Sequence, residues 1–352
     1  MEKMIKVGIS QGDMNGISYE LILKTFEDNQ IFELFIPILY GSSKALAYHR
    51  KILELAPINI NSISNVNDAG NNRLNIINLG NEEISVDLAQ STPQSEQLSK
   101  ETIEKALTDL QKTLIDVLVM APSSVDETSY LKDLTDYKKQ MLKILVYDSL
   151  RIALATDMVP LAEVSSLLNK DLIVEQIKTL HLSLIKDFMV TMPRIAVLSF
   201  NPGSGTKEQQ FGKEETETLV PAIQSARDTG ILCFGPYASD DFFGSDEYRN
   251  FDAILAIYHD QGLVPFRTIS AGKGVVYSAN LEYVITSPDQ NVSYKKAGKN
   301  QSSEEAFRNA VYTAIDISQN RKINAEINTN PLKKQYFERG SDNEKLDLTK
   351  EE

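Results

Sequence analysis

The sequence predicts an α/β protein built on a largely parallel sheet. Short apolar runs recur along the chain. Amphipathic stretches of about 10–17 residues separate them, and strands alternating with helices of that length make βαβ units. In such sheets ligands collect beyond the carboxyl ends of strands, so those loops are where chemistry is to be sought.

Taken in order, a strand pattern at residues 6–10 passes through Gly12-Asp13-Met14-Asn15-Gly16 into a helical run at 19–26. Residues 36–40 lead through Gly41-Ser42-Ser43 into a helix at 44–55. A helix at 96–114 precedes a strand at 116–120, which ends on Ala121-Pro122. Strands at 143–147 and 151–156 are followed by helices at 161–168 and 171–188. The pattern continues with a strand at 194–200, a helix at 213–229, strands at 230–234 and 253–258, and a helix at 303–320. There is no internal repeat. The charged, aperiodic end of the chain, 336–352, is expected to fray as a tail.

A chain of 352 residues with 42% hydrophobic content packs as a globular protein, with room for two domains sharing a cleft or one large domain. The net charge of −13 argues against nucleic acid or an anionic membrane as partner. It leaves room for a local basic pocket holding a small phosphorylated ligand. No apolar stretch approaches the roughly 18–20 residues of a membrane span. The first six residues carry no signal-peptide core, so a cytoplasmic location is expected. The single cysteine, Cys233, excludes an intramolecular disulfide and a cysteine zinc cage. Its neighbours Ile231, Leu232 and Phe234 mark it as a buried structural thiol.

Few residues can do acid–base or metal chemistry. His259, in Tyr258-His259-Asp260-Gln261-Gly262, stands at a strand's carboxyl end beside a carboxylate and an amide. That is where a general base or metal ligand would be placed, although one histidine is not a metal site. His49 and His181 fall in helical runs and read as surface or cap residues. The loop from Gln11 to Gly16 reads either as a structural turn or as a ligand-facing one, and it lacks the three glycines of a dinucleotide fingerprint. The run Asn201-Pro202-Gly203-Ser204-Gly205-Thr206-Lys207 lacks the spacing of a phosphate-binding P-loop. Asp240-Asp241 could hold a divalent cation, but such pairs are more often solvated turns or helix caps.

These segments, together and in order, resemble the 4-hydroxythreonine-4-phosphate dehydrogenase family of pyridoxal phosphate biosynthesis. The matching stretches are 8–20, 116–122, 151–161, 194–202, Phe211-Gly212 with Glu214-Glu215, 234–236, 258–262 and 297–301. The resemblance implies two α/β/α domains around a central cleft, of the isocitrate/isopropylmalate dehydrogenase type. It divides the chain into 1–123 with 304–335 as one domain and 124–303 as the other. It further implies a homodimer with sites near the interface, NAD as oxidant, and a divalent metal (Zn, Mg or Co). In the family reaction a secondary alcohol is oxidised and the resulting β-keto acid loses CO2, with the metal as Lewis acid.

Carried over residue by residue, the family's three metal-binding histidines fall on Met158, Gly203 and His259. A thioether and a missing side chain cannot replace two imidazoles for a hard or borderline ion. The substrate positions have changed too. The family's lysine is Arg267, its asparagine Val276 and its arginine Ile285. Its Asn-Lys pair is Ser124-Val125, and its His-Gly-Thr tripeptide is Gln290-Asn291-Val292. The family's Gly-His-Thr-Glu motif would fall at Thr135-Asp136-Tyr137-Lys138-Lys139, in a shortened segment. The expectation is a relative impaired or inactive in the family reaction. The alternatives are a dehydrogenase with a site rebuilt from Asp157, Asp240 or Asp260 with His259, or a regulatory partner of an intact member.

Overall fold

A computed structural model describes residues 4–80, 84–132, 141–203 and 212–329. Twelve strands build one sheet. They are β1 (Lys6–Ser10), β2 (Ile36–Gly41), β3 (Ile60–Ile63), β4 (Leu74–Asn78), β5 (Val117–Met120), β6 (Leu142–Tyr147), β7 (Leu150–Leu154), β8 (Arg194–Leu198), β9 (Leu232–Tyr237), β10 (Ala253–Ala256), β11 (Val275–Ala279) and β12 (Val284–Pro288). Their spatial order is β3-β4-β2-β1-β5-β12-β11-β6-β7-β10-β8-β9. Two parallel blocks flank an antiparallel centre, where β11 pairs with β12 and β6, and β6 pairs with β7. The block β7-β10-β8-β9 therefore runs opposite to the block that holds β5 and β12.

Ten α-helices are present among the described residues: α1 (Ser18–Thr25), α2 (Ser43–Ile52), α3 (Pro93–Gln111), α4 (Glu127–Lys132), α5 (Leu161–Leu167), α6 (Lys170–Lys186), α7 (Val220–Asp228), α8 (Ser239–Gly244), α9 (His259–Ser270) and α10 (Glu305–Thr329). A π-helical turn, Glu214–Leu219, runs into α7. Local chemistry sets several starts. Thr92 and Ser95 form a reciprocal capping box at α3, with Pro93 in its first turn. Ser42 and Asn169 cap α2 and α6 with side-chain oxygens.

Helices cover both faces. On one face α1, α6, α7 and α10 bury residues such as Leu21, Ile177, Ala222 and Phe307 in one large cluster. On the other, Ile103 and Leu107 of α3 pack under the first block. Phe242 of α8 and Phe266 of α9 pack under the second. Helices on both faces bury the parallel strands, several of which therefore read as near-continuous apolar runs. The chain has the expected mixed α/β architecture. The sheet is unbroken across the expected boundary at 123/124, and β12, from within 124–303, pairs with β5. No helix among the described residues is long and apolar enough to cross a membrane.

Candidate functional site

The turn after β1 is held from every side. Gly12 has φ +68°, and a Cβ there would collide with the carbonyl oxygens of Ala121 and Pro122. The Asp13 N–H donates to Pro122 O at 2.9 Å, and Ser18 Oγ to the same oxygen at 2.6 Å. The Ile17 N–H donates to Val292 O at 3.1 Å. The fully buried Asp13 carboxylate accepts from Asn15 N (2.8 Å), Ser124 Oγ (3.1 Å) and Tyr294 Oη (2.6 Å). Burial, then the bond to Asp13, pushes the Tyr294 hydroxyl pKa up. The turn thus joins the loops after β5 and β12. Of the two readings of this loop, the structural one fits the geometry. Its Gln11, Asp13, Asn15 and Gly16 N–H groups are used inside the chain, which does not fit a pyrophosphate cradle of the dinucleotide-fold kind.

His49 corrects the sequence expectation. It is fully buried, not a surface or cap residue; its ring stacks on Tyr19 at 5.3 Å, and Nε2 donates to Met14 O at 2.7 Å. Burial lowers its pKa. The side chain reaches across from α2 to close the β1 turn, a contact 35 positions apart that helical periodicity cannot show. His181 is half-buried, and burial lowers its pKa as well. Cys233 is buried as expected, which pushes its thiol up to about 12.

At the second block, His259 lies just beyond the carboxyl end of β10 and is the first residue of α9. Its Nδ1 lies 2.8 Å from Asp260 Oδ1. The neighbouring Gln261 is a cross-link: Oε1 accepts from Ile257 N at 2.6 Å, while Nε2 donates to Ser199 O and Ser239 Oγ. Buried Glu215 does the same for the loop after β8, accepting from Phe200 N, Asn201 N and Asn201 Nδ2 at 2.7–2.8 Å. Gly203 ends that described stretch at φ +70°.

After β7, Met158 is 81% exposed. Asp157 is paired to Lys143 Nζ through Oδ2 at 2.7 Å, while its Oδ1 is buried without a hydrogen-bond partner. Asp240 and Asp241 are exposed in the first turn of α8, where negative charge suits the helix dipole. Arg267 is clasped by Asp289 through both carboxylate oxygens at 2.7–3.2 Å. Val276 lies on β11, and Ile285 is buried in β12.

A cavity of about 940 Å³ collects several of these positions: Ser124, Val125, Asp157, Met158 and residues 290–292. The loops after β5, β12 and β7 meet there despite the opposed sense of the strands. His259, Gly203 and Arg267 are not among its lining residues. Among the described residues no three of His, Cys, Asp or Glu converge as a metal site. Met158, Gly203 and His259, the positions that the resemblance assigns to the metal, offer a thioether, no side chain and one imidazole, a set that does not fit a divalent ion. Thr135-Asp136-Tyr137-Lys138-Lys139 lies outside the described residues.

The family described as "Pyridoxal phosphate biosynthetic protein PdxA" matches residues 33–314. A 4-hydroxythreonine-4-phosphate dehydrogenase from Bacteroides thetaiotaomicron is 41% identical, over 99% of this chain and 98% of that protein. Another from Prosthecochloris aestuarii is 34% identical, over 88% of this chain and 96% of its own length. The solved 4-hydroxythreonine-4-phosphate dehydrogenase of Klebsiella pneumoniae superposes with a TM-score of 0.75 at 21% identity, covering 90% of this chain and 98% of that one. The chain belongs to the family of the pyridoxal phosphate biosynthetic protein PdxA.

Proposed function

We propose that this chain keeps the family's scaffold and ligand-binding cleft but does not run the family's metal-assisted, NAD-dependent oxidation at the rate of an intact member. One observation carries the reading: of the three inherited metal positions only His259 retains an imidazole, beside Met158 and Gly203. The carboxylates a rebuilt site would recruit are otherwise engaged or solvent-facing. Asp157 pairs with Lys143, and Asp240 starts a helix. A bound metal would polarise the substrate's hydroxyl and stabilise the developing enolate. Without an imidazole set to hold it, that electrostatic contribution is lost, and it is usually the largest in catalysis.

The test is turnover of 4-phosphooxy-threonine with NAD and Mg2+ or Zn2+, run beside an intact relative. The expected rate is lower by at least about a thousandfold. A metal-dependent rate within an order of magnitude of the relative's would overturn the reading. The expected homodimer, and a mixed pair with an intact member, belong to the same proposal. Recovery of monomers alone on co-expression would remove that part.

A further inference from the structure

We infer that a second cavity takes a small zwitterion, as a free amino acid is, with its carboxylate toward Arg151 and its ammonium toward Asp316. This goes beyond the proposed function and does not rest on it. The cavity, of about 310 Å³, is bounded by the turn between β6 and β7, the residues that follow α6, and one side of α10. It shares no lining residue with the larger cavity at Met158. Asn309, Tyr312, Thr313, Asp316 and Asn320 recur at helical spacing along α10, which sets a polar stripe against it. Its volume is at the low end of small-molecule pockets and suits a ligand of amino-acid size rather than a dinucleotide.

Two of the charges that line it are already paired. Asp187 is bound to Arg321 at 2.7 Å, and Lys273 to Glu305 at 3.3 Å. Arg151 is in a different position. Its guanidinium lies over the Phe188 ring at 4.6 Å, and Nη1 donates to the carbonyl oxygens of Ser149 and Asp252. Among the described residues no carboxylate forms an ion pair with it, and its Nε is buried without a hydrogen-bond partner. A buried N–H left open is costly unless something accepts from the group. Asp316 on the α10 side and Asp148 in the hairpin turn are exposed carboxylates with no hydrogen bond or ion pair among the described residues. A simple anion would suit Arg151 but meet two carboxylates, and a simple amine would suit the carboxylates but meet Arg151. A molecule that carries both charges finds a partner for each, with a charge-assisted hydrogen bond to the guanidinium. Phe188, Val275 and Tyr312 offer apolar surface to its side chain.

The test is calorimetric titration of the full chain with L-leucine, with N-acetyl-L-leucine, which lacks the ammonium, and with L-leucinamide, which lacks the carboxylate. Leucine is expected to bind about tenfold more tightly than either. In Asp316→Asn, which removes a charge that pairs with nothing in the fold, leucine should weaken about fivefold and N-acetyl-leucine should not. No heat from leucine at about 10 mM overturns the inference, and so does equal binding of all three probes. Unchanged leucine affinity in Asp316→Asn overturns the placement of the ammonium. Because the two cavities are separate, unexpected turnover by the parent would sink the reading of lost catalysis and leave these affinities untouched.

Discussion

Asp13, Glu215 and Gln261 are the residue types that the resemblance leads one to expect at their positions, whereas Met158, Gly203, Val125 and Gln290 are not. The first group is buried, and each member satisfies two or more donors or acceptors of neighbouring loops. The second group makes few such bonds; Met158 projects into solvent, and the Gln290 amide donates to Ser303 O. The difference teaches what each motif position was for. A side chain that pairs buried backbone cannot change without leaving orphaned polar groups. One that served only a ligand can change freely once the ligand does.

That comparison breaks most readily at Asp13 and Glu215. Asp13→Ala would orphan Asn15 N and take away the carboxylate to which the Tyr294 and Ser124 hydroxyls donate, and Glu215→Ala would orphan Phe200 N and Asn201 N. Each should cost about 3 kcal/mol in chemical denaturation. A loss under about 1 kcal/mol would mean these residues are kept for something other than folding.

Next in size is the inherited metal geometry. Met158→His with Gly203→His should recover Zn2+ binding, read by calorimetry as a gain of about a hundredfold over the parent. The gain will be less than the added imidazoles alone would give. Gly203 has φ +70°, and a histidine there carries roughly 1 kcal/mol of backbone strain. No heat above the parent's would show that these positions no longer face His259. Turnover should stay low even with metal bound, because the substrate-binding positions have changed as well.

Much of the fold was readable because the central strands are buried on both faces and read as apolar runs. Burial alone does not reveal every strand, since β4, β11 and β12 are mostly buried and yet escape a reading by βαβ rhythm. β3, Ile60–Ile63, is an edge strand with exposed and polar positions. β11 and β12 are five-residue strands in the antiparallel centre, outside the βαβ rhythm. α9 carries Gly262 and Pro265, both helix-disfavouring, and no helix is read over its residues from the sequence. At the site, sequence alone placed the changed positions by resemblance. It could not show that Arg267 is neutralised by Asp289 or Asp157 by Lys143, since pairs 22 and 14 positions apart depend on tertiary folding.

A smaller effect separates the histidines by pH. Burial lowers the His49 pKa in the folded protein, so below about 6.5 the unfolded chain binds a proton that the folded one resists. The stability contributed by neutral His49 is therefore complete above that pH and falls as pH drops through it toward the folded-state value. The slope is at most about 1.4 kcal/mol per pH unit for this one group. Denaturation curves across that range should flatten in His49→Gln; an unchanged slope would assign the acid sensitivity to other groups, His181 among them.

The smallest expected effect lies in the cavity wall, and it tests the second half of the comparison. Met158→Ala removes a side chain that is 81% exposed, and Val125→Lys adds a charge at a partly exposed site. Neither side chain pairs buried backbone, so neither substitution should shift folding stability by more than about 0.5 kcal/mol. Denaturation midpoints and slopes of both variants, measured beside Asp13→Ala, give the contrast directly. If a wall substitution costs as much as the Asp13 one, the wall is itself a structural element, and its divergence cannot be ascribed to relaxed demands of ligand binding. If the wall proves neutral while Asp13 and Glu215 do not, the chain has kept the part of the family motif that folds it and changed the part that met a substrate.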